Sequence, residues 1–357
     1  MSIELADPGP GEVRVRIEAA GVCHSDLSVI DGNRPRPLPM LLGHEAAGVV
    51  ETVGEGVRDV RAGSHVVLVY VPSCGSCKYC VSGRPALCTT AAAANSAGDL
   101  VGGGSRLRDG AQVLRHHLGV SAFATHAVVD RSSLVVVDPD VPFETAALFG
   151  CAMLTGYGAV TRTAGVRPGE SVVVLGLGGV GLASLMSAAA AGAWPVVAVD
   201  PVESKQRLAL AIGATHACGP EDLDALMNEV APDRFDWAFE AVGSAEVFER
   251  AYAVTGRGGG TVSVGLPHPA AVLRLPALSI VAENRRVLGS YMGTAQPAVD
   301  IPAMIALWKA GRLPVDRLVS AVLSLDEING AFDELASGRA VRQIVRPGAS
   351  TGNRGDS

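Results

Sequence analysis

Four cysteines fall within fifteen positions as Cys74-x2-Cys77-x2-Cys80-x7-Cys88. Four thiolates at loop spacing suffice for a closed tetrahedral zinc site, and no position is left open for a substrate, so this group should be structural. A second, dispersed set could also ligate metal: Cys23-His24-Ser25-Asp26, then Gly43-His44-Glu45, then Gly150-Cys151. Spacing alone does not join these three segments. By composition Cys151, in an apolar stretch, reads equally well as a core thiol, and His44 as an ordinary loop histidine. The seven cysteines are an odd number, and no basic-then-apolar leader opens the chain. Both facts argue against a disulfide framework and for metal binding in a reducing, cytoplasmic setting.

A third group can handle phosphate. Gly176-Leu-Gly178-Gly179-Val180-Gly181 follows a Val-rich run and opens an Ala-rich one. Such a motif is weak by itself in a chain with 43 glycines. Its context strengthens it: strand, glycines, helix, second strand, then Asp200 nineteen residues beyond Gly181. Gly176 permits a tight turn, Gly178 lets backbone approach a pyrophosphate, and Gly181 lets the helix pack against the strand. The helix N-terminus then faces the phosphates. Asp200 can hold ribose hydroxyls and would repel a 2′-phosphate, which favours NAD over NADP. Lys205 is as readily a solvated helix lysine as a ribose contact.

Two kinds of scaffold must position these groups. Up to about residue 150, short Val/Gly segments such as GEVRVRIEAAG, AAGVVETVGEGV and GSHVVLVYV predict antiparallel strands in a β-rich domain. From Ser171 the rhythm becomes strand–helix alternation. Strands are expected at 171–175, 196–199, 235–239, 261–264 and 287–288, with helices at 203–211 and 244–254, in a doubly wound parallel sheet. A helix near 301–310 and a strand at 342–345 should return to the first domain. The boundaries are therefore 1–152 with 292–346 for one domain and 153–291 for the other, leaving 347–357 as a disordered tail. The stretch 171–199 carries no charge and by length could span a bilayer. Its glycines and Pro195 break it into pieces that suit a sheet buried on both faces.

Composition agrees: 48% hydrophobic and 18% charged residues suit a well-buried α/β protein. A net charge of −7 with scattered Lys and Arg excludes nucleic acid as a main partner. No membrane partner is expected.

Taken in order, GVCHSD, LLGHEAAGVVETVGEGV, the four-cysteine lobe, GCAMLTGYGAV, VVVLGLGGVGL and AVD resemble the zinc-dependent alcohol dehydrogenases of the medium-chain dehydrogenase/reductase family. The likeness runs over nearly the whole chain. It implies a GroES-like catalytic domain, a Rossmann NAD-binding domain, two zinc ions per chain and a small alcohol or aldehyde as substrate. By this resemblance Cys23, His44 and Cys151 match the catalytic zinc ligands, and Glu45 the carboxylate near them. Asp26 matches the acid that fixes the His44 imidazole, and Ser25 the hydroxyl that accepts the alcohol proton. His24 and Arg342 match pyrophosphate contacts, Lys205 a ribose contact and Thr155 a residue beside the nicotinamide. Tyr70, His117, Leu118 and Tyr291 match pocket-lining positions, which suits a primary alcohol or aldehyde of polar or aromatic character. The long segment between Cys88 and Phe123 resembles that of dimeric members, so a homodimer is expected.

The sequence also departs from the family pattern. Ser28 stands where many relatives complete a proton relay with histidine, so His24 or water must carry the proton out. Ser64 replaces a common acid in GSHVV. The chain also starts later than relatives do, implying an upstream start or a lost edge strand. The nearest enzymatic alternative is a thiol-adduct formaldehyde dehydrogenase, although TTAAAANSAGD after Cys88 lacks the arginine of the glutathione version. A zinc- and NAD-binding redox sensor is the alternative from another class.

Overall fold

EVRVRIEAAGV forms one long strand, Glu12–Val22. Its alternation decides which face is buried: Val13, Val15 and Ile17 are at most 2% exposed, whereas Arg14 and Arg16 point outward. Register shifts between Arg14 and Val15 and between Ile17 and Ala19 bend the strand. It can therefore pair with Ala46–Val53 along its length, with His126–Asp130 at its start and with Arg342–Arg346 at its end.

The computed structural model describes residues 2–349, which divide into two compact units. Of the described residues, the first comprises 2–151, Gln296–Pro302 and 319–349. Among the described residues it holds a seven-stranded sheet built around Glu12–Val22 and a smaller four-stranded sheet. Most pairs are antiparallel; Val319–Ser324 with Arg342–Arg346 and Met40–Leu41 with the end of Gln112–His116 are parallel. Glu4–Leu5 pairs with Leu107–Asp109 at one edge of the smaller sheet.

The second unit comprises Ala152–Ala295 and Ala303–Leu318. Its six strands are all parallel, in the order His216–Cys218, Val196–Val199, Val172–Leu175, Phe235–Glu240, Thr255–Ser263 and Arg286–Gly289. That is the doubly wound order 3-2-1-4-5-6, so the direction of winding reverses between Val172–Leu175 and Phe235–Glu240. Val173, Leu175, Val197, Val199, Phe235 and Ala238 form the buried centre. This explains why the charge-free stretch is apolar on both faces. No helix among the described residues is long and apolar enough to cross a membrane.

Several sequence expectations change. The sheet contains a further strand, His216–Cys218, followed by helix Leu223–Val230. Ala303–Leu318 groups with the second unit and not with the first. There Val315 and Leu318 are fully buried, and Arg312 donates to the Ala190 carbonyl at 2.7 Å. At the C-terminus Pro347 and Gly348 form a turn, closed by the Ala349 amide on the Arg346 carbonyl at 3.1 Å. The rest of the expected tail, 350–357, lies outside the described residues.

Candidate active site

Cys23 is the hinge where Glu12–Val22 ends and helix His24–Ile30 begins; its backbone is still extended, at φ −133°. His44 and Glu45 enter just before strand Ala46–Val53, after a turn at Gly43 whose φ of +97° favours glycine. A side chain at Gly43 would also meet the Phe123 amide at 2.5 Å. Two further glycines make room for the cluster. A Cβ on Gly21 would overlap the Glu45 carboxylate, and one on Gly150 would overlap the Leu68 carbonyl beside Cys151. As a result the ligand atoms of Cys23, His44, Glu45 and Cys151 all lie within 4.8 Å of one another, every residue buried. Cys151 Sγ is 3.4 Å from His44 Nε2.

This donor set is unfavourable without a cation. The hydrogen bond from Cys151, helped by Arg342, holds the Cys23 thiol well below its usual range despite burial. Cys151 is pushed the other way, first by the Cys23 sulfur and then by burial. Two adjacent buried thiols thus resist both being ionised. Burial lifts the Glu45 carboxyl to about 7, against the pull of Arg342. Burial disfavours a charge on His44, but Asp26 more than offsets it and raises the imidazole. Both Glu45 oxygens and the His44 Nδ1 lack an aligned hydrogen bond. Two sulfurs and an imidazole nitrogen with this unmet demand fit a borderline-soft divalent ion such as zinc.

The four-cysteine group lies apart from this cluster in the same unit. The sulfurs of Cys74, Cys77, Cys80 and Cys88 lie within 4.8 Å of one another. Backbone amides point at them: Cys77 N–H at Cys74 Sγ and Cys74 N–H at Cys88 Sγ, both 3.4 Å, and Ala91 N–H at Cys88 Sγ, 3.5 Å. The Thr90 hydroxyl, with Ser76, holds Cys74 down to about 5. The Cys80 and Thr89 amides hold Cys77 to about 7. Cys80 is pushed up to about 12 by burial and the neighbouring Cys77. A divalent ion would relieve that conflict.

In the second unit the glycine motif closes the end of Val172–Leu175, at the reversal of winding. Gly176 has φ +93°, and a Cβ on Gly181 would overlap the Gly176 carbonyl. A Cβ on Gly178 would meet nothing within 4 Å, leaving the open approach that a pyrophosphate needs. Helix Gly179–Ala190 starts here, and Val180 lies in its first turn. Asp200 takes the Leu177 amide at 2.8 Å and the Val202 amide at 2.9 Å, which fixes its carboxylate beside the motif. Lys205 is buried in helix Glu203–Ala211.

The chain is similar to known proteins over nearly its whole length. Residues 9–139 match the model of the alcohol dehydrogenase GroES-like domain, and residues 179–310 that of the zinc-binding dehydrogenases. Alcohol dehydrogenase B of Mycobacterium tuberculosis is 38% identical, over 96% of this chain and 93% of the relative. An S-(hydroxymethyl)glutathione dehydrogenase of Synechocystis is 36% identical, over 97% and 95%. The solved benzyl alcohol dehydrogenase of Acinetobacter calcoaceticus is 33% identical with a TM-score of 0.92, over 97% of this chain and 94% of that one. The chain belongs to the zinc-dependent medium-chain alcohol dehydrogenases. Members of that family are oxidoreductases that interconvert alcohols with aldehydes or ketones using a nicotinamide cofactor.

The remaining expected residues fall in varied surroundings. Ser25 is half-buried and His24 exposed in the first turn after Cys23. The Ser28 hydroxyl donates back to the His24 carbonyl at 2.8 Å. Arg342 is buried, with Nη1 3.5 Å from Glu45 and 3.4 Å from the Val22 carbonyl. Tyr70, His117 and Leu118 are buried in the first unit, while Thr155 is buried and Tyr291 is 41% exposed in the second. The sequence reading missed Glu240. Its carboxylate takes the Val242 amide at 2.7 Å and the Gly243 amide at 2.5 Å, shaping the loop at the reversal point. An acid just before the small residues of 241–244 was the available signal. It also missed the Asp26–His117 contact at 2.9 Å, for which residues so far apart carry no sequence signal.

Proposed function

We propose that this enzyme interconverts a primary alcohol of aromatic or polar character with its aldehyde, using NAD and two zinc ions per chain. The observation that carries this reading is the buried convergence of Cys23, His44 and Cys151, with Asp26 behind the imidazole. Those three residues would hold one zinc, with Glu45 close by, and Cys74, Cys77, Cys80 and Cys88 the other. Zinc in the first position supplies Lewis acidity that lowers the pKa of an alcohol hydroxyl, and NAD supplies the hydride acceptor. Within the chain, Ser25 Oγ takes the alcohol proton and releases it to water or to His24. Glu45 keeps a carboxylate within reach of the ligands, and Arg342 balances its charge.

Gly176, Gly178, Gly179, Val180 and Gly181 would bind the pyrophosphate. Asp200 and Lys205 would take the adenosine ribose, the carboxylate disfavouring a 2′-phosphate, and Thr155 would face the nicotinamide. Tyr70, His117 and Leu118 would shape the substrate's surroundings in the first unit. The benzyl alcohol dehydrogenase likeness supports an aromatic substrate. A thiol-adduct formaldehyde dehydrogenase is the second reading, favoured by the Synechocystis relative. The absence of a cation in TTAAAANSAGD disfavours its glutathione form.

Metal analysis together with a screen of alcohols, and of formaldehyde with and without thiols, using NAD and NADP, tests this reading. Two zinc ions per chain and NAD-linked oxidation of free alcohols are expected, and Cys151→Ala should lose one zinc and all turnover. Full metal content and activity in Cys151→Ala would overturn the ligand assignment.

A further inference from the structure

Asp26 is a carboxylate fully removed from water. Its Oδ2 lies 3.0 Å from His44 Nδ1. Its Oδ1 accepts the Gly43 amide at 2.9 Å and lies 2.9 Å from Nδ1 of a second imidazole, His117. The two imidazole rings meet edge to face at 90°, with centroids 5.4 Å apart, and Tyr70 meets His44 at the same distance and 87°. His117 is 2% exposed, and its Nδ1 faces Asp26 at 2.9 Å without an aligned hydrogen bond.

The chain around His117 is held in an uncommon conformation. Leu118 and Ser121 have φ of +53° and +57°, a strained region that side-chain-bearing residues seldom occupy. The turn is tied down from both sides: the His117 amide donates to Ser121 Oγ at 2.9 Å, and Ser121 Oγ donates to the Leu41 carbonyl at 2.8 Å. A strained turn pinned in this way fixes the position of the residue that begins it.

We propose that His117 is a positioning residue for the metal ligand His44, acting through Asp26. Without His117, Oδ1 would keep only the Gly43 amide. The imidazoles of His117 beside Oδ1 and His44 beside Oδ2, 2.9 Å and 3.0 Å away, hold the carboxylate from both sides and so aim His44 Nε2 at the ligand cluster. The inference rests on Cys23, His44 and Cys151 being the ligands.

The test compares zinc-loaded wild type, His117→Phe, which keeps a ring but loses the N–H, and His117→Asn, whose amide can place an N–H near the lost Nδ1. Zinc release to a chelating dye is followed for both ions, the four-cysteine ion serving as internal reference, and the cobalt-substituted proteins are compared by visible absorption. His117→Phe should release one zinc about 10–100-fold faster and shift the cobalt bands, whereas His117→Asn should stay within about threefold of wild type. Should His117→Phe fail to fold, His117→Leu, also lacking a donor, replaces it. Wild-type release and spectra in the donor-free variant would overturn the proposal. So would equal acceleration of both ions, or a His117→Asn variant as impaired as His117→Phe. A wild type that binds one zinc, or a Cys151→Ala variant that keeps two, instead overturns the ligand reading beneath it.

Discussion

Ser25 lies two residues beyond Cys23, and the role proposed for its hydroxyl is to take a proton from an alcohol held at that cluster. Proton transfer by a positioned side chain contributes about 10²–10⁴ in rate, so Ser25→Ala should slow hydride transfer by at least 10² in pre-steady-state measurements. Ser28 cannot continue the relay, because its hydroxyl is turned back onto the His24 carbonyl. Ser28→His should therefore speed oxidation below neutral pH and change little at high pH, where hydroxide accepts the proton. Identical pH profiles for Ser28→His and wild type would show that water already carries it. A different histidine sets a limit on stability. His116 is 1% exposed and takes the Arg106 amide on Nε2 at 3.2 Å. Burial, then the Arg106 charge, lowers its pKa from 6.5 to about 4. Above pH 6.5 it is neutral folded or unfolded, so its proton affects nothing. As pH falls from 6.5 towards 4 the unfolded chain binds the proton first, and stability declines. Over two pH units that amounts to about 2 kcal/mol. His116→Gln keeps an acceptor and cannot protonate. Denaturant unfolding at pH 7 and pH 4.5 should show a smaller acid loss for the variant.

The glycine-motif helix owes its place to one missing side chain. Gly181→Ala puts a methyl group onto the Gly176 carbonyl, so helix or turn must shift. Overpacking of this kind costs about 1–3 kcal/mol. Melting of the apoprotein and calorimetric NAD titration should both show a loss; unchanged values would remove the close-packing role. This element was legible in advance because strand, turn and helix are each written in local residue choices. The strands at 196–199 and the helix at 203–211 were read at their observed bounds for the same reason. His216–Cys218 escaped notice because three residues, HAC, carry no alternation to detect. Helix Thr89–Ala97 was hidden by its alanines, which favour helix but show no apolar face. Within the site, the ligand candidates could be listed from residue type, and their grouping came from resemblance to a family. The support given by Gly21, Gly150 and His117 could not be read at all, since it arises from strands and turns distant in sequence brought side by side.

At the scale of the molecule, Arg286–Gly289 ends the six-stranded sheet and leaves one side of its ladder without a neighbour among the described residues. Close by in sequence, Val272, Leu278 and Val281 are 75%, 78% and 82% exposed. Exposed apolar residues close in sequence to an open edge suit pairing with a second copy. Sedimentation should give twice the chain mass for wild type and the single mass for a Leu278→Glu, Val281→Glu double variant, at little cost to the folded chain because both sites are exposed. A monomeric wild type would overturn the expected homodimer. The division into units has a consequence of another kind. Arg342 and Val22, which touch in the finished protein, are 320 residues apart in the chain. The sheet around Glu12–Val22 is completed by Arg342–Arg346, nearly the last described segment to leave the ribosome. At roughly 5–20 residues per second, the first strand waits some tens of seconds for its partner. The second unit, drawn mostly from the middle of the chain, can fold during that interval. The cysteines from Cys23 to Cys151 meanwhile belong to an unfinished domain, open to oxidation and to the wrong metal. Synthesis of this enzyme therefore depends on the redox state and zinc supply of the cell over the lifetime of the nascent chain.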